Sequence, residues 1–227
     1  MEHRFSKPRV VGSNPSGRAT LMKKKLYFGR IKSRKISRIK ERSFKKYLKT
    51  KNINRLNLKK KLILEIGIGM GENLIYLSKK NIKKNIIGVD PFKNGMVNVS
   101  DYCINNNIKN IYLYPYVFQK FINKFKKLRF DIIYVLFPDP WPKKRHKKRR
   151  IVNEEFLKTI FAILKKKGRV FFSTDNLDYF INVKSILKKF SNIKVKKINK
   201  IVTIKTKFYR KAEKKGNKIN SLAFIKY

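Results

Sequence analysis

The sequence predicts a doubly wound α/β domain built on a mostly parallel, Rossmann-like sheet. Two patterns carry that reading. Short apolar runs ending in acid or polar residues, "KLILEIG", "NIIGVD", "FDIIYVLF" and "RVFFSTD", alternate with stretches of helical spacing. The first run also opens into a glycine-rich turn, "GIGMGEN", and the acid Asp90 closes the second run 19 residues after Gly71. In such sheets a ligand lies beyond the carboxyl ends of the strands, where strand order reverses. Chemistry is therefore expected just after Glu65, Asp90, Phe137 and Thr174.

Residues 1–21 lack the apolar stretch of a secretory signal, and their Ser, Gly, Pro and Asn predict a flexible leader. The chain changes character at Met22, the expected true start. A basic arm follows over 22–60, with one helix near 41–49. Residues 61–227 hold the domain. After the first strand, "ENLIYLSKK" has helical spacing. "KNGMVNVSDYCINNN" is a helix between the second strand and a third, "NIYLYPY", and another helix is expected near 119–127. "FDIIYVLF" is continuously apolar, as a central parallel strand should be. "NEEFLKTIFAILKKKG" has an N-cap Asn153, acids in its first turn, an apolar face of Leu157, Ile160, Phe161 and Leu164, and a closing Gly168. "RVFFSTD" and the helix "NLDYFINVKSILKKF" come next, and short strands near 193–204 and 219–227 finish the chain.

At 227 residues with 42% hydrophobic content, including 17 Phe and 11 Tyr, the chain can fill one sizeable core. Its 60 basic and 13 acidic residues give a net charge of +47. Such a surface attracts polyanions, nucleic acids first among them. An AT-rich genome would inflate Lys, but it would raise Glu as well, and acids are scarce. The single cysteine, Cys103, forms no internal disulfide and fits a reducing cytoplasm. With His3 and His146 it makes no clustered zinc site. No run approaches the length of a membrane helix.

Glu65 stands two residues before Gly67-x-Gly69-x-Gly71, a turn in which glycine lets the backbone approach a ligand. Asp90 can accept bonds from both hydroxyls of a ribose. A nicotinamide dinucleotide site prefers G-x-G-x-x-G, with the pyrophosphate on a helix N-terminus. Here an acid opens the turn, which would repel a pyrophosphate and suits the ammonium of S-adenosylmethionine. A plain strand-to-helix turn is the bland alternative.

The stretch "FPDPWPKKRHKKRR" is the second candidate site. Two prolines fix φ around Asp139, and the residues before them, Phe137 and Asp139, are expected to be extended. Trp141 offers a flat apolar face. A carboxylate beside an aromatic ring can hold a nucleobase, and guanine presents two adjacent donors to it. Lys144, Arg145, Lys147, Lys148, Arg149 and Arg150 would carry phosphates of the same nucleic acid. A proline-rich turn before a solvated charge run is the competing reading.

"LEIGIGMGENL", "NIIGVD", "LFPDPWPKKRHKKRRIVNEEFL", "STDNLDYF" and "TKFYRKAEKKG", in that order, resemble the bacterial tRNA (guanine-N7-)-methyltransferase family, from about Leu62 to the C-terminus. The resemblance implies a class I methyltransferase fold and methyl transfer from S-adenosylmethionine to N7 of a guanine in the tRNA variable loop. It implies that Glu65, the glycine turn and Asp90 bind the cofactor and that Asp139 lies between cofactor and guanine. It further implies that Lys143 and Asp175 contact substrate and that Thr206, Lys207 and Phe208 complete the guanine site. The chain departs from the family at Val117, where an acid often follows the third strand. It also departs at Tyr209, where an acid follows "TKF", and at Pro142, where His is common. A methyltransferase for another RNA base and a basic RNA-binding protein without catalysis are the alternatives.

Overall fold

A computed structural model describes residues 29, 31, 35–198 and 204–227. The expected leader, the start at Met22 and most of the segment before residue 35 lie outside these residues, as does the stretch 199–203 of the expected strand near 193–204. Among the described residues seven strands form one sheet: β1 (Leu62–Ile66), β2 (Asn85–Val89), β3 (Ile111–Tyr114), β4 (Phe130–Leu136), β5 (Leu164–Thr174), β6 (Ile193–Ile198) and β7 (Asn220–Lys226). Their order across the sheet is β3-β2-β1-β4-β5-β7-β6. The first five are parallel, and β7 runs antiparallel to both β5 and β6. The order reverses at β1, which pairs with β2 on one side and β4 on the other, so a crevice opens beyond its carboxyl end.

Each strand near the centre is buried on both faces, which is why it reads as an unbroken apolar run. In β1, Leu62, Leu64 and Ile66 enter one core, with Phe121, Phe130, Leu157 and Phe172. Ile63 enters the other, with Leu74, Ile86, Met96 and Val99. Each such fully buried Leu, Ile or Phe contributes about 1.5–3 kcal/mol over its exposed state. Helices α2 (Glu72–Lys80), α3 (Lys93–Asn105), α4 (Phe118–Lys124), α5 (Glu154–Ile163), α6 (Leu177–Leu187) and α7 (Lys207–Lys214) follow α1 (Arg38–Thr50).

Helix α1 buries Phe44 and Tyr47 in the second core and packs on α3, where Glu41 and Asp101 pair with Lys93 and Lys40 at 2.5 and 2.9 Å. Ile53 and Leu56 enter the first core. Residues 38–56 thus pack on the domain, and the helix expected near 41–49 of the basic arm is present as α1. Helix α5 also ends earlier than expected. Leu164 continues its apolar spacing but is the first residue of β5, paired with Phe130. The register then shifts before Arg169 pairs with Ile132, with Lys167 at φ 60° in the irregular stretch.

Candidate active site

The carboxyl ends of β1, β2 and β4 gather most of the predicted site residues. Glu65 lies one residue before the end of β1 and is buried. Its Oε2 accepts a hydrogen bond from Asn73 Nδ2 at 3.0 Å. Burial pushes its carboxyl up to about 8, against the pull of the Asn73 bond, and the charge of Asp90 adds to the rise. Asn73 Oδ1 is buried and has no partner among the described residues. This corner therefore holds one acceptor, Asn73 Oδ1, with no donor to it among the described residues.

The glycine turn is shaped by what surrounds it. Gly67, Gly69 and Gly71 all have positive φ, at 78°, 55° and 82°. Gly71 is the N-cap of α2, and a Cβ there would stand 2.0 Å from Val99 Cγ2. Gly95, in the first turn of α3, is a site neighbour that the motifs alone do not mark. A Cβ on it would stand 1.7 Å from the carbonyl oxygen of Gly69, so only glycine lets α3 approach the turn so closely. A glycine inside a helical pattern is the one signal of it in the sequence.

Asp90 follows β2 and is buried. Its Oδ2 accepts from the Gly69 amide at 2.9 Å and its Oδ1 from the Phe92 amide at 2.8 Å. Burial raises its carboxyl, the two amide bonds oppose the rise, and the negative charge of Asp139 adds to it. Asp90 and Asp139 are therefore close enough to feel one another's charge. Each oxygen of Asp90 has one bond and retains capacity to accept another.

At the end of β4, Phe137 does not take the extended geometry expected of it before Pro138, and Trp141, for which the sequence sets no expectation, departs in the same way. Both are left-handed, with φ of 48° and 42°. The Phe137 amide still donates to Ser173 O at 2.8 Å, so the chain leaves the sheet by a sharp turn at that point. Tertiary packing holds two costly conformations here, a type of strain common at functional sites. Asp139 lies exposed beyond the turn, and the protein mass around it raises its carboxyl above the usual range.

The basic run divides in two. Residues Lys144–Arg149 form a 3₁₀ turn with no buried residue. Lys143, Lys144, Arg145, Lys147 and Lys148 are exposed, and Lys147 pairs with Asp178 at 2.8 Å. Arg150, expected on the phosphate surface, is instead buried. Its Nε donates to Pro140 O at 2.8 Å, its Nη2 pairs with Asp178 at 2.6 Å, and its guanidinium lies 4.6 Å from the centre of the Tyr179 ring. Tyr179 in turn accepts from the Val152 amide at 2.9 Å. Arg149 is partly withdrawn as well, 5.0 Å over the Trp141 ring, with His146 edge-on to that ring at 5.9 Å. The Trp141 ring expected to stack on a base thus carries Arg149.

Helix α7 reaches across to the glycine turn. Thr206 caps it by accepting from the Tyr209 amide at 3.3 Å. The Lys207 amide donates to Glu72 Oε2 at 2.5 Å, and Arg210 Nη2 pairs with Glu72 Oε1 at 2.6 Å. The Phe208 ring lies against Gly69, 3.2 Å from where a Cβ would be, and Tyr209 is edge-on to Phe137 at 6.2 Å. Asp175, just past β5, accepts from Asn217 Nδ2 at 3.1 Å. Val117 is the N-cap of α4 and offers no side-chain cap, next to an exposed Tyr116. Glu72, Asn73, Gly95 and Asp178 thus join the neighbourhood beyond the residues that the sequence predicts. No group of three His, Cys, Asp or Glu that could hold a metal occurs among the described residues. No helix among them is long and apolar enough to cross a membrane.

The fold has counterparts among solved structures. An rRNA methylase from Streptococcus thermophilus superposes with a TM-score of 0.52 at 11% identity, over 85% of this chain and 99% of its own. A methyltransferase from Streptococcus mutans, solved in complex with SAH, gives 0.50 at 16% identity, over 85% of this chain and all of its own. The fold is that of the Rossmann-like methyltransferases. A family model described as "Putative methyltransferase" matches residues 59–222. A tRNA (guanine-N(7)-)-methyltransferase from Macrococcus caseolyticus is 35% identical over 167 residues, 70% of this chain and 79% of the relative. The chain belongs to the tRNA (guanine-N7-)-methyltransferase family. A "Bifunctional methyltransferase" from Rickettsia felis is 35% identical over 187 residues, and this chain spans 35% of that protein's length.

Proposed function

We propose that the chain transfers a methyl group from S-adenosylmethionine to N7 of a guanine in tRNA. The observation that carries the reading is the placement of Asp139. It lies within electrostatic reach of Asp90, at the mouth of β4, beside a 3₁₀ turn of exposed lysines. Membership of the family supports the same reaction.

The residues present fit the cofactor. Asp90 has acceptor capacity for ribose hydroxyls. Glu65 and the orphaned Oδ1 of Asn73 form a corner that an ammonium group would complete. Among the described residues nothing lies within 4 Å of where a Gly67 Cβ would be, so they leave the backbone there open to a ligand. When bound, the cofactor supplies an activated methyl on a sulfonium. Guanine N7 already carries a lone pair in the ring plane and no proton, so the chain needs no general base for this step. Its task is alignment, which can supply about 7–11 kcal/mol of a barrier in the best cases. Asp139 accepts from the guanine N–H edge. As positive charge develops on the purine that edge becomes more acidic, and the bond to Asp139 strengthens in the transition state. Lys143, Lys144, Arg145, Lys147 and Lys148 hold phosphates, and Asp175, Thr206, Lys207 and Phe208 flank the base.

The test is methyl transfer by the full chain from labelled S-adenosylmethionine to unmodified tRNA, with the product mapped by cleavage specific to N7-methylguanosine. One labelled guanine in the variable loop is expected. Label on another base would overturn the substrate, and tight tRNA binding without transfer would favour a binding role.

A further inference from the structure

The first turns of two helices meet at one carboxylate. Glu72 opens α2 directly behind Gly71, and it also accepts from the first amide of α7, 135 positions later in the chain. Both termini carry unpaired amides and partial positive charge, so they would repel one another if brought together bare. The Glu72 side chain, about one third exposed at 34%, ties α2 to the first turn of α7 and adds an ion pair to Arg210. The four residues that begin α7 then reach different parts of the site. Thr206 caps the helix, Lys207 meets Glu72, Phe208 rests on Gly69 and Tyr209 meets Phe137, two residues before Asp139.

We infer that Glu72 is a positioning residue: it seats the turn of Thr206, Lys207 and Phe208 over the glycine loop, so that one carboxylate aligns the donor's loop with the acceptor's turn. This rests on the proposed reaction for the meaning of "donor" and "acceptor", and on the observed contacts for the seating itself. Neither helix supplies the link alone. The Lys207 amide is one of the first-turn donors that lack a partner within their own helix, and Glu72 is the acceptor that reaches it. Glu72 touches no reacting atom, so its effect should appear in how the acceptor is presented and not in how tightly the donor is held.

Three measurements on the full-length protein test this: hydrogen exchange of amides 207–214 in the free protein, calorimetric binding of S-adenosylhomocysteine, and kcat/KM for unmodified tRNA. In Glu72→Ala, exchange across α7 should accelerate and kcat/KM for tRNA should fall by about tenfold or more, as misalignment of reacting groups does. Affinity for S-adenosylhomocysteine should stay near that of the wild type. Glu72→Gln keeps an oxygen that accepts from Lys207 and should recover part of both losses. Unchanged exchange in Glu72→Ala overturns the proposal. So does a loss of S-adenosylhomocysteine affinity that matches the kinetic loss, since Glu72 would then be a cofactor ligand. If the wild type fails to methylate tRNA, the proposed reaction falls, and the exchange result still decides whether Glu72 seats α7.

Discussion

Arg150 Nε and the carbonyl oxygen of Pro140 are joined by a 2.8 Å hydrogen bond that closes the loop carrying Asp139. The other end of the guanidinium is held by Asp178 at the start of α6. Arg150→Met keeps much of the volume and removes both bonds. Leaving a partly buried carbonyl without its donor costs about 1–3 kcal/mol. We expect a denaturation midpoint lowered accordingly and a marked loss of methylation. The salt dependence of tRNA binding should be unaltered, because Arg150 is buried. A slope reduced by the share of one phosphate would return Arg150 to the binding surface.

The exposed lysines should behave in the opposite way. Replacing Lys143, Lys144, Lys147 and Lys148 by Ala is expected to weaken tRNA binding and flatten the plot of log K against log salt, by about 0.7–0.9 for each phosphate no longer neutralised. Folding should be little affected, since none of these side chains is buried. A filter-binding series over salt concentration is the measurement. An unchanged slope would show that the 3₁₀ turn faces away from RNA.

Asp139→Ala should separate binding from chemistry. Removing a positioned group that stabilises developing charge costs on the order of 10²–10³ in rate. Under the proposed reading tRNA affinity rests mostly on the lysines and should survive. Equal losses in paired binding and methylation assays would count against a role in the transition state.

Glu65 makes stability depend on pH with a definite sign. Its carboxyl titrates near 8 in the folded chain, against 4.5 as the ordinary value. Between these values the unfolded chain loses the proton and the folded chain keeps it. Stability is therefore full below about 4.5 and declines as pH rises through about 8. Glu65→Gln removes this dependence. Its melting temperature should match the wild type in acid and exceed it above pH 8, while affinity for S-adenosylmethionine falls. Parallel melting curves across that range would mean that Glu65 does not carry the shift.

Gly95→Ala tests the close approach of α3 to the glycine turn. The new methyl would stand 1.7 Å from Gly69 O, so backbone must move. Overpacking of this kind costs about 1–3 kcal/mol. The displaced turn should lose cofactor affinity beyond what the stability change explains. Calorimetry with S-adenosylhomocysteine on the folded variant checks it, and wild-type affinity would show that the turn adapts.

The central strands are legible in the sequence because burial on both faces leaves an unbroken apolar run, as in "FDIIYVLF". The ends of elements are less so. Leu164 fits the spacing of α5, and only its long-range pairing with Phe130 assigns it to β5. The antiparallel direction of β7 leaves no mark in local periodicity. Glu65, the glycine turn, Asp90 and Asp139 stand out by residue type and position at strand ends. Arg150 does not, because in a run of bases nothing local distinguishes the one that turns inward. Phe137 departs from expectation for a related reason: the preference of a residue before proline is overruled by the turn out of the sheet. Glu72 looks like an ordinary first-turn acid, since its partner is 135 positions away.

Glu65, Glu72, Asp90, Asp139, Asp175 and Asp178, six of the 13 acids in a chain of net charge +47, lie at or just beyond the carboxyl ends of the parallel strands β1, β2, β4 and β5. Under the proposed reaction this contrast gives turnover a direction. The donor arrives with a positive sulfonium that these acids attract and departs neutral, with less to hold it. The guanine arrives neutral and leaves as a cation that keeps its bond to Asp139. The transfer of charge thus loosens the spent donor first.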